Sequence, residues 1–64
     1  MAKTVYDVLM EKLTAHAAAV ADSVASGAAK DYAEYRAMCG EIRGLLTAER
    51  YVNDLAKHME TSDE

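Results

Sequence analysis

The chain has 64 residues, with 7 Lys+Arg against 11 Asp+Glu and a formal net charge of −4. It has one cysteine and no proline, tryptophan or phenylalanine. This length excludes more than one small domain, the lone Cys39 excludes an internal disulfide, and the acidic balance argues against a general grip on nucleic-acid phosphates.

Chains below about 70–80 residues rarely build a sufficient core alone. They usually add disulfides, a metal or a partner. No Cys/His cluster in the sequence has metal-ligand spacing. A partner chain is the remaining source of burial. The apolar fraction is 52%, but thirteen of those residues are alanine. Alanine favours helix strongly and covers little area. The backbone preference is therefore helical while the burial term is thin. No apolar run approaches the roughly 18 residues of a membrane span. The start of the chain carries Lys3 without a continuous apolar segment, which predicts no secretion signal. A single free cysteine fits a reducing cytoplasm.

The first helix is expected over about residues 4–26. Thr4 can cap it, and Asp7, three residues on, completes a weak capping box. Asp7 and Glu11 suit the positive end of the helix dipole. Ala2, Tyr6, Leu9, Leu13, His16, Val20 and Val24 recur at spacings of three and four and predict the packed face. The stretch from Ala15 to Ala21 is nearly all alanine and would let another backbone come close.

A turn is expected near Gly27, which can take the left-handed conformation that ends helices. The second helix is expected over about residues 29–60, with Asp31 and Glu34 as a possible cap and an acidic tail over 61–64. Tyr35, Met38, Ile42, Leu45, Glu49, Val52, Ala56 and Met59 alternate at three and four, an a/d pattern of about three and a half heptads. Tyr32, Cys39 and Leu46 form a second apolar row beside it. Such a stripe is wider than one neighbour can cover. The predicted architecture is all-α: a single antiparallel two-helix hairpin that oligomerises or packs into a larger assembly. The longer second helix should leave Val52, Leu55, Ala56 and Met59 without a partner at its C-terminal end.

Few side chains invite chemistry. Cys39 sits in an apolar row, as a buried inert thiol would. His16 on the apolar face reads either as a ligand or pH switch or as a packed, hydrogen-bonded residue. Asp54 and His58 could share a metal, but no second such pair exists. Glu49 at an a position reads either as a carboxylate meeting an arginine or as one reaching the rim. Arg36, Arg43 and Arg50, spaced by seven, could meet phosphates, or could form a salt-bridging face with partners such as Asp54. No catalytic, metal or cofactor site is expected, and no small-molecule substrate.

Gly40 and Gly44 are the least expected residues. A glycine inside a helix costs about 1 kcal/mol relative to alanine. Two of them, four apart, form a smooth strip that suits close contact with another helix. The expected outer contacts are Gly40, Arg43, Gly44, Arg50, Val52 and Met59.

The run Lys30-Asp31-Tyr32-Ala33-Glu34-Tyr35-Arg36, followed by Cys39-Gly40 and Ile42-Arg43-Gly44-Leu45, resembles a family of short proteins from tailed bacteriophages. In that family a KDYxEYR-type segment leads into a GxIxGL segment and the chain ends acidic. The resemblance covers about Ser26 to the C-terminus. It implies a small virion component, made in the host cytoplasm, that binds the portal, the capsid or the head–tail junction. It brings no catalytic residue and no cofactor. Two other classes share the predicted shape. Plasmid copy-control proteins dimerise into four-helix bundles that bind paired RNA loops, and a small phage inhibitor could lay its second helix in a groove of a host enzyme.

Overall fold

In the computed structural model, residues 3–62 are described, with side chains through Met59. Ala2, expected on the packed face, and the end of the acidic tail at 63–64 lie outside the described residues. Two helices make up the fold, α1 over Val5–Ala25 and α2 over Tyr32–Ser62. They run antiparallel along one another. Both the expected fold class and the hairpin are observed.

Local chemistry sets the boundaries. Thr4 is the N-cap of α1. Its Oγ1 accepts from the Asp7 amide at 3.1 Å, and the Thr4 amide donates to Asp7 Oδ2 at 3.0 Å, closing the box in both directions. At the other end Gly27 has φ +81°, the one positive φ among the described residues. Gly27 N donates to the Val24 carbonyl at 3.1 Å and Ala28 N to that of Ser23 at 3.0 Å. These two bonds are the Schellman pattern, which satisfies carbonyls the last turn would leave bare. Asp31 then opens α2: its Oδ1 accepts from Glu34 N at 2.8 Å, while Glu34 Oε1 reaches Lys30 N at 3.2 Å. This cap holds α2 back to Tyr32, three residues later than the expected start at 29. The helix continues to Ser62 rather than stopping near 60.

The packed face of α1 differs from the expected one. Ala17 is buried, and Tyr6, Met10, Leu13, Val20 and Val24 are half-buried. Leu9 and His16 are exposed. An alternation of three and four can be read as 6-9-13-16-20 or as 6-10-13-17-20-24, and both readings share Tyr6, Leu13 and Val20. The second is realised because Ala17 on the seam lets α2 approach where His16 would hold it off. On α2 the expected stripe holds: Met38, Ile42, Leu45, Glu49, Val52 and Ala56 are half-buried. Tyr35 and Met59, at its two ends, are exposed.

The shape is a rod. Its radius of gyration is 15.1 Å and its extents are 51 × 21 × 11 Å. A compact domain of this length would have a radius near 11 Å. At 21 and 31 residues, the helices measure roughly 32 and 46 Å. Their near ends meet at the turn, so α2 outruns α1 by about three turns at the open end. Leu55 and Met59 on that overhang are exposed, as expected, while Val52 and Ala56 keep half their burial.

Replacing Gly27 by alanine forces a Cβ into the left-handed region although the surrounding space is open. The Gly27→Ala chain should be destabilised by about 1 kcal/mol, read as a lower urea midpoint by circular dichroism.

Candidate interaction surface

Two cross-helix contacts orient the hairpin. His16 Nε2 lies 2.9 Å from Glu41 Oε2 along one side of the seam. Thr14 Oγ1 donates to Glu49 Oε1 at 3.4 Å along the other. At about 100° per residue, these contacts divide the remaining side chains between two broad faces.

The His16–Glu41 side carries Val5 and Leu9 from α1 and Ala37, Gly44, Ala48 and Leu55 from α2. Val8 and Ala19, with Gly40 and Tyr51, lie on its outer flanks, Ala15 lies on the back of α1 between the two faces, and Met59 extends the glycine side along the overhang. This is the glycine face. The Thr14–Glu49 side carries Ala18 and Ala21 from α1 and Tyr35, Cys39 and Leu46 from α2. Its outer flanks hold Asp7, Glu11 and Asp22 on α1, opposite Arg36, Arg43, Arg50 and Asp54 on α2. This is the charged face. Six of the nine exposed large apolar side chains (Val5, Val8, Leu9, Tyr51, Leu55 and Met59) belong to the glycine face or its overhang.

The expected contact residues divide accordingly. Gly40, Gly44 and Met59 fall on the glycine face. Arg43 and Arg50 fall on the charged face. Val52 is half-buried on the seam, where it serves packing within the hairpin. A Cβ built on Gly40 or Gly44 meets nothing within 4 Å. Neither glycine is there to admit α1, so the hairpin alone does not explain their helical cost.

On the charged face the side chains mostly satisfy one another. The Tyr32 and Tyr35 rings stack with centroids 6.1 Å apart. The Arg36 guanidinium lies 6.0 Å from the Tyr32 ring centre, and its Nη1 donates to the Tyr32 hydroxyl at 3.4 Å. Arg50 rests 6.0 Å over Tyr51. The expected Arg50–Asp54 ion pair is not formed among the described residues. Glu49 meets Thr14 of its own chain rather than an arginine. Hydrogen bonding with the Cys39 side chain, one turn on, holds the Tyr35 phenol above its ordinary value of 10.0, and the Cys39 charge adds to the effect.

Cys39 is half-buried. His16 lies across the seam on the opposite broad face and is engaged by Glu41. The two therefore form no nucleophile–base pair. Among the described residues no group of three His, Cys, Asp or Glu is placed to hold a metal. Among the described residues, too, no helix is long and apolar enough to cross a membrane.

The His16–Glu41 pair would have been hard to foresee, because it depends on which three-four reading α1 adopts. Both side chains are more than half or half exposed, at 58% and 50%. Exposed pairs are worth about 0–1 kcal/mol. Glu41→Gln should therefore shift the unfolding free energy by less than about 1 kcal/mol. In Cys39→Ala the first cause of the raised Tyr35 phenol disappears, so its ionisation, followed by ultraviolet absorbance, should move down in pH.

No protein-family model, no curated protein and no solved structure matches the chain, so no residue takes a role from a relative.

Proposed function

We propose that this chain is a non-enzymatic packing subunit of a tailed-bacteriophage particle, held through its helices against copies of itself and against the portal, the capsid or the head–tail junction. The observation that carries the packing role is the missing core. Among the described residues nothing larger than Ala17 is buried, while Val5, Tyr32, Leu46, Tyr51 and Leu55 are all at least half exposed. A chain of this kind gains its burial on assembly. The phage setting is supported by the KDYAEYR and GEIRGL segments and their resemblance to the phage family. The first spans the cap and the opening turn of α2, and the second is the strip around Gly40 and Gly44.

The arginine row is the one feature that favours an RNA-binding regulator. Arg36 and Arg50 already lie over neighbouring tyrosine rings, and the net charge of −4 opposes phosphate binding. The packing reading is therefore preferred.

Mass spectrometry of purified particles tests it. The chain should be present at a constant ratio to the portal protein, and the ratio separates a portal or junction component from a shell component. Absence from particles overturns the reading. Salt-sensitive RNA binding that weakens in Arg43→Ala would replace it with the regulator.

A further inference from the structure

We propose that a second copy of this chain covers the glycine face, so that two hairpins pack face to face as a four-helix bundle. The inference deepens the packing-subunit reading and rests on it, by naming the first partner.

Surface area is the first argument. The chain presents 5053 Å² to solvent. A folded monomer of 7.0 kDa would present about 4,000 Å². The excess, about 1,000 Å², is close to the roughly 800 Å² that each partner gives to a standard interface. One further hairpin is therefore enough to bring the chain to ordinary compactness.

Charge selects the face. Asp7, Glu11, Asp22, Arg36, Arg43, Arg50 and Asp54 all lie toward the charged face and its flanks, where water solvates them. The glycine face holds Lys12 and His58 at its edges, the His16–Glu41 pair near its middle, and Glu34 near the turn, where its carboxylate accepts from the Lys30 amide at 3.2 Å. The His16–Glu41 pair is already hydrogen-bonded at 2.9 Å, so covering it leaves neither side chain without a hydrogen-bond partner.

Shape selects the occupant. A two-fold contact uses the same patch on both copies, so the patch must complement itself. Gly40 and Gly44 form the smooth flank of α2, with open space above them. Ala19 is the small residue on the matching flank of α1, within about one helical turn of the same height. Smooth flanks let helix axes approach at the close end of the usual 8–10 Å. Toward the open end the same face changes to Val5, Val8, Leu9, Tyr51 and Leu55, which supply the apolar area. Small residues at one level and large ones at another recur on both helices, as a second copy requires. The face offers no basic strip for a nucleic acid.

Sedimentation equilibrium of the full chain tests the proposal, with circular dichroism as the folding control. The wild-type chain should run at twice 7.0 kDa. Gly44→Leu should weaken self-association at least about tenfold while keeping or raising helicity, because leucine is the better helix former and its Cβ meets nothing in the hairpin. Ala18→Leu, on the charged face, should leave the dimer intact. A folded wild-type monomer overturns the proposal, including one that associates only when a portal or capsid protein is added. A dimer broken by Ala18→Leu and spared by Gly44→Leu overturns it as well. Either result leaves the particle reading standing, whereas absence from particles would defeat that reading without touching this one.

Discussion

Two helices cannot bury a large side chain between them. Each cylinder touches one neighbour, and that contact covers a single stripe of its circumference. Large apolar residues beside the stripe, such as Val5, Leu46 and Tyr51, keep half or more of their surface in water. The rest of the structure follows from this constraint. Ala17 is buried because it is small enough to lie fully under the opposing helix. Met10, Leu13, Met38, Ile42 and Leu45 are larger, and they stop at half burial. Full burial of such a side chain is worth about 1.5–3 kcal/mol, and each of these gains only part of it. What covers the outer faces of the hairpin therefore weighs heavily on its stability.

The ends of the helices carry more of the specification than the seam does. The Thr4–Asp7 box, the Gly27 Schellman turn and the Asp31 cap all use side chains or a glycine whose chemistry is local. These features set where the chain turns, and the turn sets the antiparallel register. Once the register is set, the three-turn overhang of α2 is a matter of length. Alanine then has two roles. It keeps the backbone helical where burial is weak, and on the seam it allows the helices to come together.

The same distinction explains what could be read from the residues alone. The two helices, the break at Gly27 and the heptad stripe of α2 were all legible, because each rests on local propensity or on a long unambiguous period. The seam of α1 was not. Leu9 and Met10 compete for one position, and His16 and Ala17 for another, and propensity does not separate them. Only packing against α2 does, by favouring the small residue. The late start of α2 was hidden for a similar reason: Ala28, Ala29 and Lys30 tolerate helix, and the Asp31 side chain takes the Glu34 amide first. The oddity of Gly40 and Gly44 was visible in the sequence. That they face open space rather than α1 needed the fold.

The uneven distribution of charge gives the two broad faces different physical roles. A hairpin with apolar residues on every side would associate in many orientations. Here the arginines and most of the aspartates share one face, where hydration opposes stacking, and the glycines share the other. In the proposed pairing, association on the second face leaves the first in water, so the assembly closes rather than growing. Stability then depends on concentration, because a partner that binds only the folded hairpin shifts its folding equilibrium by mass action. At low concentration the chain is a weakly held pair of helices. In a crowded assembly the same sequence is held by its neighbours. The proposed pairing then accounts for two observations together: the lack of large buried side chains among the described residues and the two helix glycines that face open space.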